Sequence, residues 1–206
     1  MGFHLRFFLF SSSMNNANGH ILNSITETAL VKECIAGNRC MQNRLYMLYA
    51  SRMMGVCMRY AKSRQDAEEI LQEGFIKVFT CLAQFKFRSR LETWIKKIMI
   101  NCALQKLRDK HSMYPVLNIE TVTDKYEYED LIFSGIHEKE LVALIQQLPP
   151  VCRIVFNLYV FEGMKHNEIA QLLQISEGTS KSNLFDARAI LQRRLNEYAP
   201  AYKTKV

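Results

Sequence analysis

Apolar residues recur at three- and four-residue spacing along almost the whole chain, and the pattern lapses once, between residues 111 and 135. That period belongs to amphipathic helices. With 8 Gly, 4 Pro and no alternating valine- and isoleucine-rich runs, little in the sequence favours strands. The lapse, "HSMYPVLNIETVTDKYEYEDLIFSG", holds Pro115 and Gly135, has no sustained stripe, and carries a net charge of −4. A connection of that length without structure of its own is uncommon inside a compact domain, so it is expected to separate two. The reading is an all-α chain: two small helical domains, residues 22–110 and 136–206, joined by an acidic linker over residues 111–135. Residues 1–21 form an N-terminal extension expected to be disordered.

Within the first domain, "ALVKECIAGN" ends at Gly37, a natural helix terminator. "MQNRLYMLYASRMMGVCMRYAK" follows, with Leu45, Leu48, Tyr49, Arg52, Met53 and Val56 as its core stripe. In "DAEEILQEGFIKVF", Asp66 is placed to cap the helix and Glu69 to complete a capping box. Ser89 and Glu92 repeat that device before "RLETWIKKIMINCALQKLRDK". Four helices result. The domain is basic, with sixteen Lys and Arg against eight Asp and Glu, yet Asp66, Glu68, Glu69, Gln72 and Glu73 cluster on one short stretch. Such a cluster reads either as a capped, solvated face or as a docking surface for a basic partner. Between Lys86 and Lys110 the balance reverses, and Phe85, Phe87 and Trp94 stand among the cations. Cations beside aromatic faces suit unstacked nucleic-acid bases, because charge holds phosphate while rings stack on bases. Core packing is the plain alternative for Trp94.

The second domain carries "HEKELVALIQQL", then "PPVCRIVFNLYVFEG", where a proline pair can stop one helix and start the next. In "EIAQLLQISEGTSKSNLFDAR" the apolar set Ile169, Leu172, Leu173 and Ile175 is interrupted by Ser176, a good N-cap. Small Ala170 lets a second helix cross closely, as a helix-turn-helix requires. A plain helical hairpin would look the same. From Ser176 the spacing puts Lys181, Ser182 and Phe185 on one side and turns Leu184 and Leu191 to the core. Lys181 can donate to guanine, Ser182 serves base or phosphate, Phe185 can touch a thymine methyl, and Arg188 is placed for the backbone.

The net charge of +7 and pI near 9.1 favour a polyanionic partner. Six cysteines, Cys34, Cys40, Cys57, Cys81, Cys102 and Cys152, show no C-x-x-C pair and suggest buried thiols in a reducing cytosol, without metal or cofactor. No paired carboxylates or nucleophile–base motif points to catalysis. "MGFHLRFFLFSSSMNN" has too short an apolar run for export, Met14 is an alternative start, and no stretch reaches the roughly 20 apolar residues of a membrane span.

"DAEEILQEGFIKVF", "WIKKIMINCALQKLR" and "LPPVCRIVFNLYVFEGMKHNEIAQLLQISEGTSKSNLFDARAILQRRL" together resemble the extracytoplasmic-function (ECF) group of bacterial RNA polymerase sigma factors, over residues 28–110 and 136–196. The resemblance implies a cytoplasmic, non-catalytic promoter-recognition subunit, nucleoid-associated within holoenzyme. Its implied partners are core RNA polymerase, promoter DNA and a membrane-associated anti-sigma factor. Asp66, Glu69, Gln72 and Glu73 match the positions that bind the clamp helices of the largest catalytic subunit, and the second domain is expected at the flap of the second-largest. Gln84, Phe85, Lys86, Phe87, Arg88 and Ser89 match the loop that captures a flipped −10 base, with Trp94 and Asn101 on the following helix. Thr179, Lys181, Ser182, Asn183, Phe185 and Arg188 match the −35 recognition helix. Departures from the family are Gln174 at a usual turn glycine, Lys165 at a usual Ser or Thr cap, Ser180 for valine, and Asp186 where a basic residue or His is frequent. A stand-alone helix-turn-helix regulator is the alternative, distinguished by binding its duplex without polymerase.

Overall fold

The computed structural model describes residues 26–111 and 138–203, so the extension over residues 1–21 and the acidic linker past His111 lie outside the described residues. The chain is all-α, with no strand among the described residues. The first unit holds α1 (Glu27–Ile35), α2 (Arg39–Tyr60), α3 (Arg64–Cys81) and α4 (Leu91–His111). The second holds α5 (Glu138–Gln146), α6 (Pro150–Val160), α7 (His166–Leu173) and α8 (Glu177–Lys203).

Local chemistry explains most of the boundaries. Gly37, at φ 83°, ends α1, and the Asn38 side chain accepts from the backbone N–H groups of Cys40 and Met41 to start α2. The cap of helix α3 lies three residues before the expected one. Ser63 takes that role: its hydroxyl accepts from the Asp66 N–H at 3.1 Å and donates to the Asp66 carboxylate at 2.8 Å. Asp66 and Glu69 are therefore inside the helix. The expected Ser89–Glu92 box is also absent. The Ser89 hydroxyl donates to the Arg90 carbonyl, Glu92 pairs with Arg52 at 3.0 Å, and the first N–H of α4, on Leu91, bonds instead to the Glu27 carboxylate of α1 at 3.3 Å. An acceptor from a distant helix thus meets an orphan donor that local sequence left open.

In the first unit α2 lies against α1, α3 and α4. Its buried residues are Leu45, Met53, Val56, Cys57 and Tyr60, whereas Leu48 and Arg52 of the expected stripe face solvent. Leu45, Tyr60, Ile95 and Met99 are fully enclosed, each such side chain contributing about 1.5–3 kcal/mol. Gly74 permits the close approach of α3 and α4: a Cβ there would lie 2.2 Å from the Met99 sulfur. Cys34, Cys57, Cys102 and Cys152 are buried, with desolvation pushing the Cys34 thiol up to about 11 and that of Cys57 up to about 12. Cys40 is exposed, against the expectation, because the α2 start uses its backbone and leaves its side chain outside.

In the second unit α6 and α7 both pack on α8, with Pro150 at the first turn of α6. The two units also touch, through α2 against α5 and α6. No described helix is long and apolar enough to cross a membrane.

Candidate nucleic-acid interface

The turn between α7 and α8 is set by backbone first. Gln174 adopts a left-handed conformation, φ 51° and ψ 46°, and the Ile175 N–H returns to the Ala170 carbonyl at 3.0 Å. Ser176 then caps α8, accepting from the Thr179 N–H at 2.9 Å, while Glu168 performs the matching service for α7 by accepting from the Lys165 N–H at 2.6 Å. Helix α8 buries Ser180, Leu184, Ala187 and Leu191 and leaves Thr179, Lys181, Ser182, Phe185 and Arg188 on its open side. Phe185 is 72% exposed, the most exposed large apolar side chain among the described residues.

Several of these groups have internal partners. Lys181 reaches back to Glu177 at 2.8 Å, a bond that holds the Glu177 carboxyl below its ordinary value. The Ser182 hydroxyl donates to the Thr179 carbonyl, and the Arg188 guanidinium stands 5.6 Å over the Tyr159 ring. Asn183 is the member of the predicted set that turns inward. Its amide donates to the Thr179 carbonyl at 2.8 Å, and its oxygen accepts from the Cys152 thiol of α6. Behind the open face, His166 Nδ1 lies 3.0 Å from the buried Ser180 hydroxyl and its ring stacks on Tyr159 at 4.7 Å. Burial, then the Lys181 charge, push this imidazole below its usual value, with Arg188 acting the same way and Glu177 opposing. Nothing in the local pattern marked His166 or Tyr159, because their partners lie one helix away.

In the first unit a 3-10 turn over Leu82–Gln84 leads into the basic connector. Gln84, Lys86 and Arg88 are exposed and Ser89 is half-buried. The aromatics meet one another: Phe85 lies 4.7 Å from Phe87 and 5.4 Å from Trp94. Phe85 is buried, so it forms the floor of this cluster, and Phe87, 46% exposed, is the ring offered to solvent. Phe87 also holds φ 55°, a conformation that costs a non-glycine residue free energy and concentrates at functional loops. Trp94 and Asn101, both half-buried, sit two turns apart on one side of α4.

On α3, Glu69, Gln72 and Glu73 share an open face, and Ile76, 51% exposed, lies on it rather than in the core. Asp66 is half-buried at its N-terminal edge. Lys106 of α4 pairs with Glu69 and lies 3.8 Å from Asp66, so part of the acidic charge is already countered from within the unit. A polar rim around an apolar residue is a composition found in protein-binding patches, and its acidic sign here would select a basic partner.

Two family profiles match the chain in order: Sigma-70 region 2 over residues 45–112 and Sigma-70, region 4, over residues 138–191. The first covers the acidic face and the basic connector, and the second covers the helix-turn-helix. The RNA polymerase sigma-H factor of Pseudomonas aeruginosa is 28% identical over 177 residues, 81% of this chain and 92% of that protein. The ECF RNA polymerase sigma-E factor of Haemophilus influenzae is 26% identical over 184 residues, 83% of this chain and 96% of its own. The chain belongs to the ECF group of the sigma-70 family. This sigma factor is a non-catalytic subunit that binds core polymerase and directs promoter-specific initiation through −10 and −35 recognition. Among solved structures, CnrH in complex with the cytosolic domain of CnrY is similar at a TM-score of 0.44 and 17% identity, covering 82% of the sigma factor and 96% of that chain.

Proposed function

We propose that this sigma factor reads its −35 element with the open side of α8 and melts its −10 element over the Phe87 loop, while the α3 face docks the clamp helices of the largest polymerase subunit. The observation that carries the reading is the division of α8, with Ser180, Leu184, Ala187 and Leu191 buried and Lys181, Phe185 and Arg188 outside. Lys181 must exchange Glu177 for a guanine edge, and the Phe185 ring is free to meet a thymine methyl. Arg188 sits one turn further along, suited to phosphate. Asn183, engaged with Cys152 and Thr179, supports the helix and contributes no base contact. Glu69, Gln72, Glu73 and Ile76 form the docking patch, with Asp66 at its edge. The second unit engages the flap of the second-largest subunit, the chain works in the cytoplasm at the nucleoid, and a membrane-associated anti-sigma factor restrains it. Those last three assignments follow from the family resemblance.

Selection of holoenzyme on a library randomised at −35 tests the reading. Each good base contact is worth about 1–3 kcal/mol of discrimination, whereas a phosphate contact acts on all sequences alike. Lys181→Ala should relax one or two −35 positions, and Arg188→Ala should weaken every promoter and reduce the salt dependence. An unchanged sequence preference in Lys181→Ala would place the reading face elsewhere on α8. A gel shift of the free chain on the selected duplex, compared with holoenzyme, separates a sigma factor from a stand-alone regulator.

A further inference from the structure

Ser180 puts a hydroxyl into the buried face of α8, fully enclosed in the row completed by Leu184, Ala187 and Leu191. A hydroxyl there is unfavourable unless it is bonded, whereas the valine of the family pattern needs no partner. The partner is His166 Nδ1, at 3.0 Å. His166 is the first residue of α7, so the bond ties the start of one helix of the motif to the early turns of the other. The same ring stacks on Tyr159 at 4.7 Å, and Tyr159 in turn carries the Arg188 guanidinium 5.6 Å over its ring. One imidazole thereby bears on two parts of the reading face: on Lys181 through its chain neighbour Ser180, and on Arg188 through Tyr159.

That ring also sits in a field that DNA would reverse. The charged groups about it are Lys181, Arg188 and Glu177 on α8 and Lys165 and Glu168 beside it on α7, with the Tyr159 phenol on α6. A helix N-terminus disfavours a cation as well. In the free chain burial comes first and Lys181 second in keeping the imidazole neutral, and Arg188 adds to them. Glu177 pulls the other way, but Lys181 holds that carboxylate at 2.8 Å. When Lys181 leaves for a guanine edge and Arg188 meets phosphate, the two opposing cations are countered and the favourable carboxylate is released. The complex then takes from solvent a proton that the free chain does not hold, and linkage requires affinity to rise as pH falls.

The Ser180 hydroxyl serves both forms of the ring. It donates to a neutral Nδ1 and accepts from a protonated one, its own hydrogen then turning to the Ser176 carbonyl one turn back, which already accepts from the Ser180 N–H. The link is kept while the charge changes. Lys181 and Glu177 are both more than half exposed, so solvent screens their exchange and the coupling is modest.

We propose that His166 is a positioning residue that couples −35 recognition to proton uptake: it holds α8 through Ser180 and Arg188 through Tyr159, and it becomes the cation beside Glu177 when Lys181 goes to DNA. The proposal rests on the reading of the open side of α8 as the −35 face.

The test titrates holoenzyme onto two fluorescent promoters that share a −10 element, one with the selected −35 sequence and one with that sequence scrambled. The series runs from about pH 8 to about pH 5.5, the range in which an imidazole changes charge. The ratio of the two affinities isolates the −35 contribution from the other titrating groups of the polymerase. In the wild type it should grow about fivefold as pH falls, the low end of ordinary coupling between two binding events. His166→Asn, whose amide keeps a donor and an acceptor near the Nδ1 position, and Glu177→Gln should both hold the ratio constant. His166→Phe keeps a stacked ring and strands the Ser180 hydroxyl, so α8 shifts and the ratio at the alkaline end should fall. Adding Ser180→Val removes the stranded group and should restore the ratio there without its pH dependence. A wild-type ratio that ignores pH, or a slope equal in His166→Asn, overturns the proton coupling. An unchanged ratio in His166→Phe, or a loss that Ser180→Val does not restore, overturns the positioning role. Circular dichroism checks each fold, and a His166→Phe chain that unfolds while the double variant folds counts as the same rescue. Failure of the −35 reading shows separately, as equal affinity for the two promoters at every pH.

Discussion

Gln174 and Phe87 are the two described non-glycine residues with positive φ, and they mean different things. The Gln174 side chain is exposed, and its strain serves only the chain reversal between α7 and α8. Glycine adopts that conformation without a Cβ penalty, although it loses more freedom on folding. Gln174→Gly should therefore stabilise the second unit by about 0.5–1 kcal/mol and raise its melting temperature, with −35 preference unchanged, as thermal unfolding and promoter selection would show. The expected glycine at that turn was legible from the family pattern, and the backbone shows the reason for it. Phe87 is strained where its ring is also exposed, next to the enclosed Phe85 and the half-buried Trp94. Composition identified these aromatics as a group. It could not rank them, since burial depends on how the connector folds back over α4.

At the level of helices, short-range chemistry was readable and long-range chemistry was not. Ser176 caps α8 and Pro150 starts α6 because the cause lies within a few residues of the effect. Helix α3 misled by one turn because "SRQD" and "DAEE" offer the same capping spacing, and the Ser63–Asp66 pair satisfies both its side chains. Helix α4 misled for a different reason: its first donor is met by Glu27, 64 residues earlier. The pairing of Lys106 with Glu69 and the Gly74–Met99 approach are equally non-local. If Glu27 is a true cap, Glu27→Ala should cost about 1 kcal/mol in chemical denaturation, comparable to losing a local N-cap. Ser89→Ala, which removes no bond to a helix N–H, should cost much less.

For the whole molecule, two helical units and an acidic connection were visible in the periodicity and its single lapse, but the face on which the units meet was not. Arg153, Asn157 and Glu162 read as ordinary polar residues of a helix and its following loop, and only their partners on α2 and α4 give them a role. Asn157 and Arg153 donate to the Arg59 and Ala61 carbonyls at the end of α2, and this capping by the second unit has a consequence for dissection. Cut at residue 111, the first unit ends its longest helix with carbonyls that water must satisfy, and the second exposes the Arg153 guanidinium, which loses the Ala61 carbonyl and keeps that of Gln146. The unfolding free energies of the separate fragments should then sum to less than the intact closed chain requires, and amide exchange near Tyr60 should quicken in the first fragment. The chain's two halves, so separable in sequence, are thermodynamically one object until something pulls them apart.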